Sequence, residues 1–152
     1  MNIRDQKNRL RQFAEDFIQQ QVTLARKMIG NAREAANSEE KSSAGDKYET
    51  ARSMGQLDQE MYGQQLAKYV NELALLHAIN FDNTYTQVAN GALIRCAGCS
   101  FFIAVGLGKQ LIDGETIYFL SPQAPLTKEL QHKKPGDQFV FGGQRMEILE
   151  IF

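Results

Sequence analysis

Residues 117–137 read IYFLSPQAPLTKELQHKKPGD, and three kinds of local structure follow from them in order. Thr116 to Leu120 is a short run of strand-forming residues. Ser121 and Pro122 then carry a helix-start signal, a hydroxyl that can cap free backbone N–H groups and a ring that presets the first helical φ. Leu126 and Leu130, four apart, give a short helix its apolar side, and Pro135-Gly136-Asp137 ends it with a turn.

The same texture extends outward on both sides. Further β-rich runs cover Gln87 to Cys96, Ser100 to Leu107, Gln138 to Phe141 and Arg145 to Ile151. Phe101, Ile103, Val105 and Leu107 alternate as one face of a sheet demands. Turn signals at Ala97-Gly98, Asp113-Gly114 and Gly142-Gly143 separate the runs. Residues 84–152 are therefore expected to form a small antiparallel sheet with one short helix packed on it, an α+β arrangement.

Residues 1–80 read differently, because all three prolines and eight of the twelve glycines lie after residue 90. Ile3, Leu10, Phe17 and Leu24 recur every seven residues, and Phe13, Ala14, Met28 and Ala35 extend that face. After the polar stretch NSEEKSSAGD, a second stripe runs through Met54, Leu57, Met61, Leu66, Tyr69, Val70, Leu73 and Leu76. Two such helices can bury their stripes by pairing antiparallel as a coiled coil, in an arm of roughly 45 Å for about 30 residues. A compact helical domain would satisfy the same periodicity, but Gln20, Gln21, Gln64 and Gln65 suit a thin seam better than a deep core. The polar stretch, residues 37–49, becomes the tip.

Charge divides along the chain. Arg4, Lys7, Arg9 and Arg11 make the beginning basic, whereas Glu34, Glu39, Glu40, Asp46 and Glu49 outnumber Lys41 and Lys47 near the tip. The formal charge of −1 argues against a general nucleic-acid binder. With 43% apolar and 23% charged residues the composition is that of a folded, water-soluble chain, and no run is long and apolar enough for a membrane helix. The beginning MNIRDQKNRLRQF lacks a signal-peptide core, so the cytoplasm is the expected compartment. Cys96 and Cys99 form a single C-x-x-C, at most half of a structural zinc site, and read first as turn residues between strands. His77 and His132 lie far from them in sequence.

The run Ile117 to Asp137 resembles the signature of the Gre-factor C-terminal domain, where Ser-Pro precedes a short helix and a Lys-x-x-Gly-Asp turn. Ser121-Pro122, Pro125-Leu126, Lys133 and Gly136-Asp137 stand in that order, with His132 and Thr127 at positions where the family commonly has glycine. The N-terminal half is similar to the same family in architecture, a helical hairpin whose tip carries Gly-Asp-x-x-Glu, here Gly45-Asp46-Lys47-Tyr48-Glu49. The family continues Asn-Ala-Glu-Tyr, and this chain reads Thr50-Ala51-Arg52-Ser53.

The resemblance implies an FKBP-like fold for residues 84–152 and a bacterial RNA polymerase as partner, with nucleic acid met only through that complex. In this family the globular domain docks near the polymerase secondary channel, and the tip carboxylates, here Asp46 and Glu49, help hold a Mg²⁺ shared with the polymerase during cleavage of backtracked RNA. The protein would then be an accessory factor with no stably bound cofactor, not an enzyme. Ser121, Pro122, Lys133 and Lys134 are the expected partner-binding residues. The bland reading of Asp46 and Glu49 is a capping box at a helix start, and Lys47 beside them opposes a cation. Glu39 and Glu40 read as solvated loop acids, Tyr48 as folded back on the hairpin and His77 as an interfacial histidine. Two rivals remain: a non-cleaving relative that only occupies the channel, and a prolyl isomerase.

Overall fold

The structure is a computed structural model that describes the backbone of residues 2–40 and 45–152 and the side chains of residues 2–35 and 54–152. The chain divides into two compact units, Glu15–Ala74 and Met1–Ala14 with Leu75–Phe152. Helices α1 (Ile3–Glu40) and α2 (Gly45–Ala78) supply the first unit, and α1 begins within the second. The overall class is α+β.

In the helical unit the buried side chains of α1 are Ile18, Ala25 and Ala32, seven apart. The inward line of α2 is Gly55, Gln59, Tyr62, Leu66, Tyr69 and Leu73, buried or half-buried at spacings of three and four. With only two helices in this unit, each buries its line against the other. The seam therefore differs from the expected stripes. Leu24 is 48% exposed, and Met54, Leu57, Met61 and Val70 also point outward. The reason is the helical period. Along α1 the buried face steps from Leu10 to Ala14 to Ile18, two intervals of four, so it moves one residue beyond a strict seven-residue count. On α2 the inward line combines Gly55 with the larger Tyr62, Leu66, Tyr69 and Leu73.

The second unit contains a five-stranded sheet of β1 (Leu93–Arg95), β2 (Ser100–Ile103), β3 (Gly108–Ile112), β4 (Glu115–Leu120) and β7 (Glu150–Ile151), in the order β3-β4-β2-β1-β7. A separate hairpin pairs β5 (Gln138–Phe141) with β6 (Gln144–Glu147), and α3 spans Pro125–Leu130. The sheet is mixed, which corrects the antiparallel expectation: β2 and β4 run parallel in the register Phe101↔Tyr118 and Phe102↔Phe119. The cause is β3. It turns back on β4 through Asp113-Gly114, both at positive φ, and occupies the outer edge so that β4 lies beside β2. Its sequence GKQLI shows no alternation, since an edge strand needs none, and Leu111 is 72% exposed.

Both faces of the sheet are covered. Leu93, Phe102, Ile117 and Phe119 lie on one face, where Phe13 stacks on Phe119 at 5.8 Å and Phe81 meets Phe102 at 5.5 Å. Ile94, Cys96, Phe101 and Ile103 lie on the other, clustered with Val88, Leu130, Phe139, Ile148 and Ile151. All four residues of β2 are consequently buried, where the alternation of Phe101 and Ile103 alone suggested one buried face.

The seam assignment is checked by a pair of truncations. Ile18→Ala is expected to cost about 2–4 kcal/mol in denaturant unfolding, and Leu24→Ala less than about 0.5 kcal/mol. The opposite ranking would restore the seam through Phe17 and Leu24.

Candidate functional site

The segment from Ser121 to Asp137 folds as two turns joined by α3. Helix α3 begins at Pro125, with Ala124 at the cap position in extended geometry (φ −61, ψ 143) and no side-chain cap. Ser121 is thus not the cap and Pro122 is not the first helical residue. The ring of Pro125 excludes helical geometry from residue 124, so the helix starts three residues later than the Ser-Pro signal suggests. Ser121 closes the first turn instead: its carbonyl accepts from the Ala124 N–H at 3.1 Å and the Thr127 hydroxyl at 2.7 Å. Thr127 is fully buried.

The second turn is held to two other segments. The Lys133 carbonyl accepts from the Val88 N–H at 2.8 Å, and the His132 N–H donates to the Val88 carbonyl at 3.2 Å. The Gly136 N–H donates to the Ile148 carbonyl at 2.7 Å, and the Ile148 N–H donates to Asp137 at 2.9 Å. Within the turn, the carboxylate of Asp137 accepts from the Lys134 N–H at 2.8 Å. His132 sits at φ +67, in left-handed geometry that favours glycine. This turn presents Lys133 half-buried and Lys134 exposed, and neither ammonium is paired among the described residues. Ser121 and Pro122, both half-buried, lie at the opposite end of the six-residue α3, about 9 Å away along the helix.

Asp46 and Glu49 fall in the first turns of α2. Their side chains, and those of Glu39, Glu40, Lys47 and Tyr48, lie outside the described residues. Among the described residues no group of three or more His, Cys, Asp or Glu side chains is placed to hold a metal. Most of the basic beginning of α1 is engaged within its own unit: Arg4 pairs with Asp82 at 3.1 Å, and Arg9 with Asp113.

Lys7 is a functional candidate that sequence reading passed over as part of the basic start. It is 1% exposed, donates from Nζ to the Asn83 carbonyl at 3.1 Å and lies over the Tyr85 ring at 4.8 Å. Burial lowers its pKa to about 8. Its spacing from Leu10 and Ala14, three and seven residues, was the available signal that it shares the buried face. The two thiols are both free; burial pushes Cys96 up to about 12, with the neighbouring Cys99 adding to the effect, and burial also raises Cys99.

No family model, no curated protein and no solved structure matches the chain.

Two stability measurements probe these sites. His132→Gly is expected to stabilise the protein by up to about 1 kcal/mol, because glycine adopts positive φ without a Cβ clash. Thr127→Gly, at a second position where the Gre family commonly has glycine, is expected to destabilise it through loss of the buried bond to Ser121. For Lys7 the folded pKa lies below the unfolded one, so the unfolded chain binds more protons between pH 8 and 10.5 and stability from this group rises with pH. Between pH 7 and 9 the wild-type protein should gain about 1 kcal/mol relative to Lys7→Met, which carries the same cysteines. A constant difference across that range would assign Lys7 an ordinary pKa.

Proposed function

We propose that this chain is a Gre-like accessory factor that binds RNA polymerase at its secondary channel and promotes cleavage of backtracked transcripts. The observation that carries the reading is the turn at His132–Asp137. A position that is commonly glycine in the Gre signature has φ +67 here, and the Gly-Asp that follows is tied by three backbone hydrogen bonds and a carboxylate to Ile148 and Lys134. Positive φ at this position is backbone geometry that a glycine would serve, although the residue is His132. Two helices of 38 and 34 residues and an α+β unit are the parts such a factor needs. Within the sheet unit, the FKBP-like arrangement belongs to the same proposal.

In this reading Lys133 and Lys134, unpaired among the described residues in the turn after α3, meet an acidic surface of the polymerase. The outward stripe Met54, Leu57 and Met61 of α2 gives the hairpin apolar side chains to set against the channel wall. Asp46 and Glu49 would be the carboxylates offered to Mg²⁺, which prefers hard oxygen donors and keeps several waters. Held there by these residues together with polymerase carboxylates, the ion would supply an activated water for phosphodiester hydrolysis. What this chain would contribute is two acids three residues apart in the sequence, Asp46 and Glu49, a spacing that suits two donors to one ion.

A binding-only regulator is the second reading, favoured by Arg52 where the family tip has an acid and by Lys47 between the two carboxylates. A prolyl isomerase draws less support, since Phe101, Tyr118, Phe139 and Phe141 pack on one another at 4.9–5.6 Å rather than around an opening.

Stalled, backtracked elongation complexes separate the readings. The wild-type protein is expected to shorten the transcript, and Asp46→Asn and Glu49→Gln to abolish shortening while polymerase affinity and melting temperature stay unchanged. Asn still caps a helix well, so Asp46→Asn spares a capping role. Reversal of Lys133 and Lys134 to Glu is expected to weaken polymerase binding by on the order of tenfold or more. Tight binding with no shortened RNA across a Mg²⁺ titration would assign the regulator reading, and no binding at all would remove both.

A further inference from the structure

Antiparallel β1 and β2 pair Leu93 with Phe102, Ile94 with Phe101 and Arg95 with Ser100. The next pair in that register is Cys96 with Cys99, and the Cys96 N–H donates to the Cys99 carbonyl at 2.9 Å. Gly98 at φ +83 lets the two intervening residues close the turn. Partners that exchange a ladder hydrogen bond have Cα atoms about 5.5 Å apart, within the range that a disulfide bridges. Side chains alternate along each strand, so Cys96 shares the face of Ile94 and Cys99 that of Phe101, which is one face of the sheet. Both thiols are free and reach the same core cluster.

A cavity of about 270 Å³ opens at this point, lined by Arg95, Cys96, Cys99, Ser100, Glu115 and Thr116 among others. Cys99 is half-buried and Cys96 buried, so the pair is asymmetric. A tetrahedral zinc would need donors beyond two thiolates, and no third His, Cys, Asp or Glu groups with them among the described residues. We propose that Cys96 and Cys99 form a dithiol site that exchanges with small aliphatic disulfides and closes into a reversible disulfide across the β1–β2 turn.

The thiolate of Cys99, the more accessible of the two, attacks one sulfur of the small disulfide. This forms a mixed disulfide and releases one small thiolate. The thiolate of Cys96 then attacks Sγ of Cys99, breaks the mixed disulfide and releases the second small thiolate. The chain loses two electrons and two protons, and the small disulfide gains both to become two thiols. Burial disfavours both chain thiolates, so the exchange is slow at neutral pH and quickens as pH rises.

The test incubates the full chain with oxidised glutathione, quenches it with acid, alkylates the remaining thiols and reads intact mass. Expected is a chain that has lost two hydrogens, resists alkylation at both positions and recovers after dithiothreitol. Cys96→Ser is expected to retain one glutathione at Cys99, and Cys99→Ser to react roughly tenfold more slowly than wild type. Circular dichroism confirms that each variant is folded, and the wild-type readout stands without either. The proposal is overturned if the folded chain keeps both thiols alkylatable while the guanidinium-unfolded chain closes its disulfide. Addition of two glutathiones per chain, or stoichiometric zinc on the purified protein that blocks the reaction until chelated, would equally overturn it.

Discussion

Four consecutive buried residues in β2, Ser100 to Ile103, oblige the sheet to be covered on both sides. Phe101 and Phe102 point to opposite faces, and each loses about 2–3 kcal/mol of burial if its face is left open. One face is met by Leu10 and Phe13 of α1 together with Phe81; the other by α3 and the β5–β6 hairpin through Leu130, Phe139 and Phe141. The first turns of α1 are therefore part of the sheet unit's core, although they belong to a helix that continues into the other unit. The pairing of β2 with β4 puts Phe101 beside Tyr118 on one face and Phe102 beside Phe119 on the other.

Cover on the second face also explains the turn that carries the functional reading. Helix α3 buries Thr127 and Leu130, and the chain must then reverse within a few residues to deliver β5 over Phe101. His132 in left-handed geometry makes that reversal, and the hydrogen bonds to Val88 and Ile148 fix where it lies. Lys133 and Lys134 are displayed by a turn whose backbone is tied at both ends. These ties fix the backbone from which the two lysines project.

The buried ionisable groups of this unit oppose one another in pH. Lys7, with its pKa lowered to about 8, contributes stability that increases as pH rises through 8 to 10.5. The cysteines, whose pKa values burial raises above that of an ordinary thiol, contribute stability that is present below the ordinary value and lost above it. Both effects come from one cause, desolvation of the charged form.

Periodicity and turn chemistry were legible in the chain itself: two long helices, the Asp113-Gly114 and Gly142-Gly143 turns, a short helix following the Ser-Pro, though not its start, and the change of texture near residue 84 all depend on local rules that act over a few residues. Local rules stop at the choice of partner. Leu24 and Met54 fit an apolar stripe as well as Ile18 and Leu66 do, and only the packed pair of helices selects which line turns inward, because a drift of one residue in a 3.6-residue period is invisible until the two surfaces meet. Likewise GKQLI carries no strand pattern, and it becomes β3 because Gly108 to Ile112 finds the edge of β4 across an Asp-Gly turn. The proximity of Cys96 and Cys99 was evident from their spacing, but their shared face and buried setting came from the sheet register and the hairpin that covers it. The physical reason is common to all three: residue type determines what a segment can form, and the free energy of burial, which depends on distant segments arriving at the same place, determines which of those possibilities is used.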